Sequence, residues 1–113
     1  MRIEFWIDFL SPQCYKQHKA LELLLKKYEF KDLELLYRSY EMMPQLKPSD
    51  QTTFEHILST HYLTTLDEAK HMMSPYHLTM KPVNTHDAHR LAHLAKKSDL
   101  AFEYHQAIFK AYY

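Results

Sequence analysis

The chain has 113 residues, is 46% hydrophobic, and balances 14 lysine plus arginine against 14 aspartate plus glutamate. Length and apolar content suffice for one domain with its own core, and a formal net charge of zero gives no long-range field to collect nucleic acid or anionic lipid. Glycine is absent where about 7% is usual, which excludes phosphate-cradling loops and the dinucleotide fingerprint, because both need glycine backbone close to the ligand.

Ile3, Phe5, Ile7 and Phe9 alternate with Arg2, Glu4 and Asp8, the period of two expected of a strand. Trp6 interrupts that pattern and predicts at least partial cover on both faces. Over residues 12 to 28, Tyr15, Leu21, Leu24, Leu25 and Tyr28 recur at helical spacing. Pro12 suits the first turn, where its missing N–H would go unpaired anyway. Leu33, Leu35 and Tyr37 form a second strand, and a strand, helix, strand order with one crossover implies parallel pairing and a right-handed connection.

A connection punctuated by Pro44 and Pro48 follows. Phe54, Ile57, Leu58 and His61 mark a helix, and Thr65-Leu66-Asp67-Glu68 is a capping box opening another that ends before Pro75. Residues 74 to 84 read as a loop, and two further helices cover about 85 to 97 and 99 to 112. The predicted organisation is an α/β protein, mostly helical by content: a β-α-β unit over 1–45 and a helical region over 46–113 in one compact domain. No apolar run approaches the 18 or so residues of a membrane span, and residues 1 to 6 enter a strand instead of a signal sequence. The expectation is a cytoplasmic protein with no membrane partner. The single cysteine forbids an internal disulfide and fits a reducing compartment or a redox partner outside the chain.

The strand runs into Ser11-Pro12-Gln13-Cys14, which places a hydroxyl, a proline and a thiol on the first turn of a helix. Unpaired N–H groups and the positive end of the macrodipole favour a thiolate there. Cys14 admits two readings: a reactive thiol, or a small hydrophobe packed beneath the strand end. Ser11, directly before a proline at a helix start, reads from the residues alone as an N-cap.

The residues Asp8-Phe9-Leu10-Ser11-Pro12-Gln13-Cys14 resemble the active-site turn of the thioredoxin superfamily, more closely its DsbA-like branch. Leu36-Tyr37-Arg38-Ser39-Tyr40-Glu41 and the stretch Asn84-Thr85-His86-Asp87-Ala88-His89-Arg90-Leu91 look like the FrnE-type subgroup. The resemblance implies a thioredoxin-like unit with a helical insertion, and thiol-disulfide oxidoreduction as the ancestral activity. It sets Ser11 at the family's nucleophilic cysteine and Cys14 at its resolving cysteine, so activity is expected to be weak or absent. In that family a β-hairpin, a closing helix and a cis-proline follow the insertion. The expectation is therefore a missing C-terminal half, a homodimer that shares strands, or a parallel two-stranded layer buried by a mostly helical remainder. Leu10-Ser11-Pro12 is also similar to the turn of kappa-class glutathione transferases and 2-hydroxychromene-2-carboxylate isomerases. That likeness makes Ser11 and Pro12 candidates for holding glutathione. A non-catalytic dimeric binding domain is the third reading, and expected partners are a thiol- or disulfide-bearing protein or glutathione, with no cofactor required.

His86, His89 and His93 fall on one helix at metal-like spacing, yet no carboxylate or thiol completes a signature with them, and core or surface histidine is the expectation. Met42, Met43, Met72 and Met73, with Tyr62, Tyr76 and Tyr104, either line an apolar groove or belong to the core. Lys26-Lys27 and Lys96-Lys97 sit in last helical turns, where cations are favoured.

Overall fold

The computed structural model describes residues 1–29, 31–76 and 81–113. Its elements run β1 (Arg2–Ile7), α1 (Pro12–Lys27), β2 (Glu34–Ser39), α2 (Phe54–His61), α3 (Leu66–Met73), α4 (His86–Lys97) and α5 (Ala101–Tyr112). The strands pair in parallel, Ile3 with Leu35, Phe5 with Tyr37 and Ile7 with Ser39, which puts those apolar side chains on one face. The predicted α/β architecture is present. The predicted loop after Ser74 lies partly outside the described residues.

The second face differs from expectation. Trp6 does not break the alternation. It continues the outward set with Arg2 and Glu4, is 62% exposed, and belongs to neither core cluster. Glu4 pairs there with both Arg2 and Arg38 at 3.3 Å, contacts at exposed groups that carry little energy. Leu24 and Tyr28, read as part of the apolar stripe of α1, are also half exposed. The buried side of α1 is Pro12, His18 and Leu21, because His18 takes a core place through a hydrogen bond to Tyr37.

Two clusters form the core. One gathers Leu10, Met42, Leu46, Phe54, Ile57, Leu58, Ala69 and Met73; the other gathers Ile7, Phe9, Tyr37 and Phe109. Each of the larger buried side chains contributes about 1.5–3 kcal/mol. Tyr113 packs against both clusters, and each cluster takes residues from both sides of position 45.

Without glycine, helix ends are closed by other residues. Leu63 follows α2 at φ 54 and Asp99 follows α4 at φ 57. In each case the next N–H returns to the helix, Thr64 to Ser59 at 3.0 Å and Leu100 to Ala95 at 2.8 Å. This is the hydrogen-bonded stop that glycine usually supplies.

Candidate functional site

β1 stops at Ile7, and the bend over Asp8, Phe9 and Leu10 is buried throughout. The Ser11 N–H donates to the Asp8 carbonyl at 3.2 Å, which turns the chain into α1. Ser11 is extended and its Oγ accepts from the Cys14 N–H at 3.3 Å, so it caps the helix, with Pro12 following in the first turn. The same Oγ shares a 2.8 Å hydrogen bond with the Tyr62 hydroxyl, 51 residues away, and Ser11 is only 1% exposed. Its oxygen is occupied from both sides. Burial raises the Tyr62 pKa, partly offset by the bond to Ser11.

Cys14 lies in the first turn of α1, partly exposed and partly packed against the Phe9 and Phe109 cluster. No acidic side chain in that turn opposes the helix-end field. Beside it, Pro12, Gln13 and Lys16 face His71, Met72 and Tyr76 across a cleft of about 390 Å³. Met42 and Met73 are core residues, whereas Met72 both packs on the core and lines this cleft.

Asp8 is the polar hub of the turn. Strand alternation puts it on the outward face, but the bend after Ile7 turns it inward, where it is 1% exposed. One carboxylate oxygen accepts the Met42 N–H at 2.8 Å; the other accepts the Thr85 hydroxyl at 2.7 Å and His89 Nε2 at 3.1 Å. Because a carboxylate only accepts, Nε2 carries the proton of that bond. His89 Nδ1 is buried without a partner among the described residues. Thr85 stands at the N-cap of α4 yet makes no side-chain cap bond, because its hydroxyl is committed to Asp8. The hub ties the end of β1 to the β2 exit and to the start of α4.

A column of rings backs this hub. Phe9 lies between His89 at 5.0 Å and His105 at 5.6 Å; His105 stacks on Tyr37 at 3.8 Å and 9°; Tyr37 shares a 2.9 Å bond with His18, whose ring stacks on Phe102. His105 Nδ1 donates to the Ala101 carbonyl at 2.7 Å. Burial pushes His105 down to about 4 and also lowers His18, while burial drives the Tyr37 hydroxyl well above its usual range. On the other side the Tyr113 hydroxyl donates to the Phe9 carbonyl at 2.9 Å.

The structure brings Ser11, Pro12 and Cys14 onto one turn, as the sequence predicts. The three helical histidines line one shallow pocket with Glu41 but have different surroundings. His89 is buried on Asp8, His86 contacts Glu41 at 3.0 Å, and His93 is exposed. Among the described residues no group of three or more His, Cys, Asp or Glu is arranged to hold a metal ion. The sequence offered Tyr62 as a groove or core residue but gave no local sign of its bond to Ser11, 51 residues away. Sequence reasoning missed Asp8 as a hub, for which an acid directly before Phe9 at the end of an apolar strand was the available sign.

A strand that bends into a proline-started helix, with a hydroxyl and a thiol on the helix's first turn, defines a thioredoxin-type fold. The chain belongs to the DSBA-like thioredoxin domain family, whose domain model matches residues 2–113. It is similar to the crystal structure of a probable DsbA oxidoreductase from Streptomyces coelicolor, with a TM-score of 0.71 and 25% identity over 100% of this chain and 54% of that one. The chain thus spans about half the length of that solved structure. No curated protein matches the chain. Among the described residues no helix is long and apolar enough to cross a membrane.

Proposed function

We propose that this chain is a thiol-disulfide exchange protein of the DsbA type with reduced capability, whose only exchanging sulfur is Cys14. The observation that carries the reading is the state of Ser11. It holds the family's nucleophile position, yet its oxygen is buried and bonded to both Tyr62 and the Cys14 N–H. The Cys14 thiolate attacks one sulfur of a partner disulfide, forming a Cys14–partner S–S bond, and the other partner sulfur leaves as a thiolate that takes a proton from water. With one cysteine in the chain, only an external thiol reverses that bond, so the chain alone completes no dithiol cycle.

Partners of this reading are a thiol- or disulfide-bearing protein or glutathione. A cytoplasmic setting agrees with a lone thiol. The open edges of a two-stranded sheet favour a second copy or further chain as their cover. The FrnE-type assignment rests on the sequence stretches alone. The transferase or isomerase alternative needs Ser11 and Pro12 to face a glutathione sulfur, and the Tyr62 contact stands against it.

The test combines insulin reduction with mass spectrometry. The unmodified protein should be inactive in insulin reduction and should gain one glutathionyl group from oxidised glutathione, a gain lost in Cys14→Ser. Ser11→Cys should confer reduction activity. No gain there, together with no glutathionyl adduct on the unmodified protein, would overturn the reading.

A further inference from the structure

We infer that Tyr62 is the residue that decides which disulfides reach Cys14: its ring, held by the Ser11 hydroxyl, closes the turn against bulky partners and admits slender ones. This rests on the exchange reading of Cys14 given above. Tyr62 ends α2 and shares the 2.8 Å hydrogen bond with Ser11, the residue that also receives the Cys14 N–H. A single oxygen therefore links the ring to the helix turn that bears the sulfur. Cys14 and Asp8 both lie close enough to act electrostatically on the Tyr62 hydroxyl, each raising its pKa. Tyr62 is nevertheless 39% exposed, so one side of the ring meets solvent.

The segment carrying Tyr62 is built to move. Leu63, 91% exposed, sits at φ 54, and the Thr64 hydroxyl next to it is buried with no partner among the described residues. A branched side chain in the left-handed region and an orphaned buried hydroxyl are both unfavourable, by about 1–3 kcal/mol each. Rotation of this segment relieves them at the cost of the Thr64 N–H bond to Ser59 and of the hydrogen bond to Ser11. Outside that bond the ring rests edge-on against His61 at 5.0 Å, and His61 rests against Tyr40 at 5.7 Å. Those are surface contacts that a partner side chain can replace. Tyr113 is partly buried against both core clusters and bonded to the Phe9 carbonyl, so it is held where Tyr62 is not.

The experiment measures Cys14 exchange with a slender disulfide, hydroxyethyl disulfide, and with a bulky one, dibenzyl disulfide. Each rate is divided by that of a free cysteine peptide. The unmodified protein should disfavour the bulky reagent. Tyr62→Ala should raise the normalised bulky rate at least tenfold and the slender rate far less, and Tyr62→Phe, which keeps the ring but frees it from Ser11, should give an intermediate ratio. General loosening of the fold raises both rates together and leaves the ratio where it was. An unchanged ratio in both variants, with Cys14 still exchanging, overturns the role of Tyr62 and leaves the exchange reading intact. Failure of Cys14 to exchange with either reagent in any variant, while it reacts fully in urea, overturns both.

Discussion

Removing the Asp8 carboxylate should be among the most damaging single changes. Asp8→Ala leaves three buried donors unpaired: the Met42 N–H, the Thr85 hydroxyl and His89 Nε2–H. A buried donor without a partner costs about 1–3 kcal/mol. Thr85 recovers part of its share, because its hydroxyl is then free to cap α4. The Met42 N–H is backbone and its bond is to the Asp8 carboxylate. His89 cannot gain by changing tautomer, since its Nδ1 is already orphaned. The expected loss is about 3–5 kcal/mol, the sum of these unpaired-donor penalties less the share that Thr85 recovers. Asp8→Asn should cost less, about 1–2 kcal/mol: its oxygen can serve Met42 while its amide donates to Thr85 and to a His89 carrying its proton on Nδ1. Urea titrations followed by far-ultraviolet circular dichroism give both values. A loss below about 1 kcal/mol for Asp8→Ala, or equal losses for the two variants, would refute the hub.

Burial keeps His105 near 4 against an ordinary 6.5 and also lowers His18. The unfolded chain therefore takes up protons that the folded one refuses, so stability falls as pH drops below about 6.5, by about 2 kcal/mol from His105 at pH 5. Urea midpoints at pH 7 and pH 5 should show the drop, and His105→Phe should remove most of it; an equal drop in the variant would contradict the assignment. Leu63→Gly relieves the left-handed cost of about 1–2 kcal/mol and returns part as unfolded-chain entropy. A net gain of about 0.5–1 kcal/mol should raise the thermal midpoint by a few degrees, and a lowered midpoint would show that Leu63 makes a contact its exposure denies. Ser11→Ala should cost about 1 kcal/mol as a lost cap, and Ser11→Gly only a few tenths. The reverse order in thermal melts would exclude capping as the hydroxyl's main structural role.

Local features were legible in the sequence because local physics makes them. Thr65 and Glu68 announced α3 through a capping-box pattern, of which the structure shows the Thr65 half, its Oγ1 accepting the Glu68 N–H at 3.1 Å. Pro12 set the start of α1, and the turn from Asp8 to Cys14 led to the family. What stayed hidden depends on contacts far apart in the chain. The partners of Asp8 lie 34, 77 and 81 residues away, and the bend that turns it inward defeats a rule that holds only while the strand continues. Trp6 was misplaced for a related reason: size and hydrophobicity argue for cover, but pleat parity puts it opposite Arg38, and parity prevails.

That placement leaves the protein with a built-in reporter. Trp6 is the sole indole in the chain, and with 62% of its surface in water its emission in the native state should already resemble that of a hydrated, denatured chain. Fluorescence is therefore a poor gauge of unfolding here. It becomes a sensitive one for anything that comes to rest on the outer side of the sheet, because a blue shift at Trp6 can arise only when water is displaced from that side.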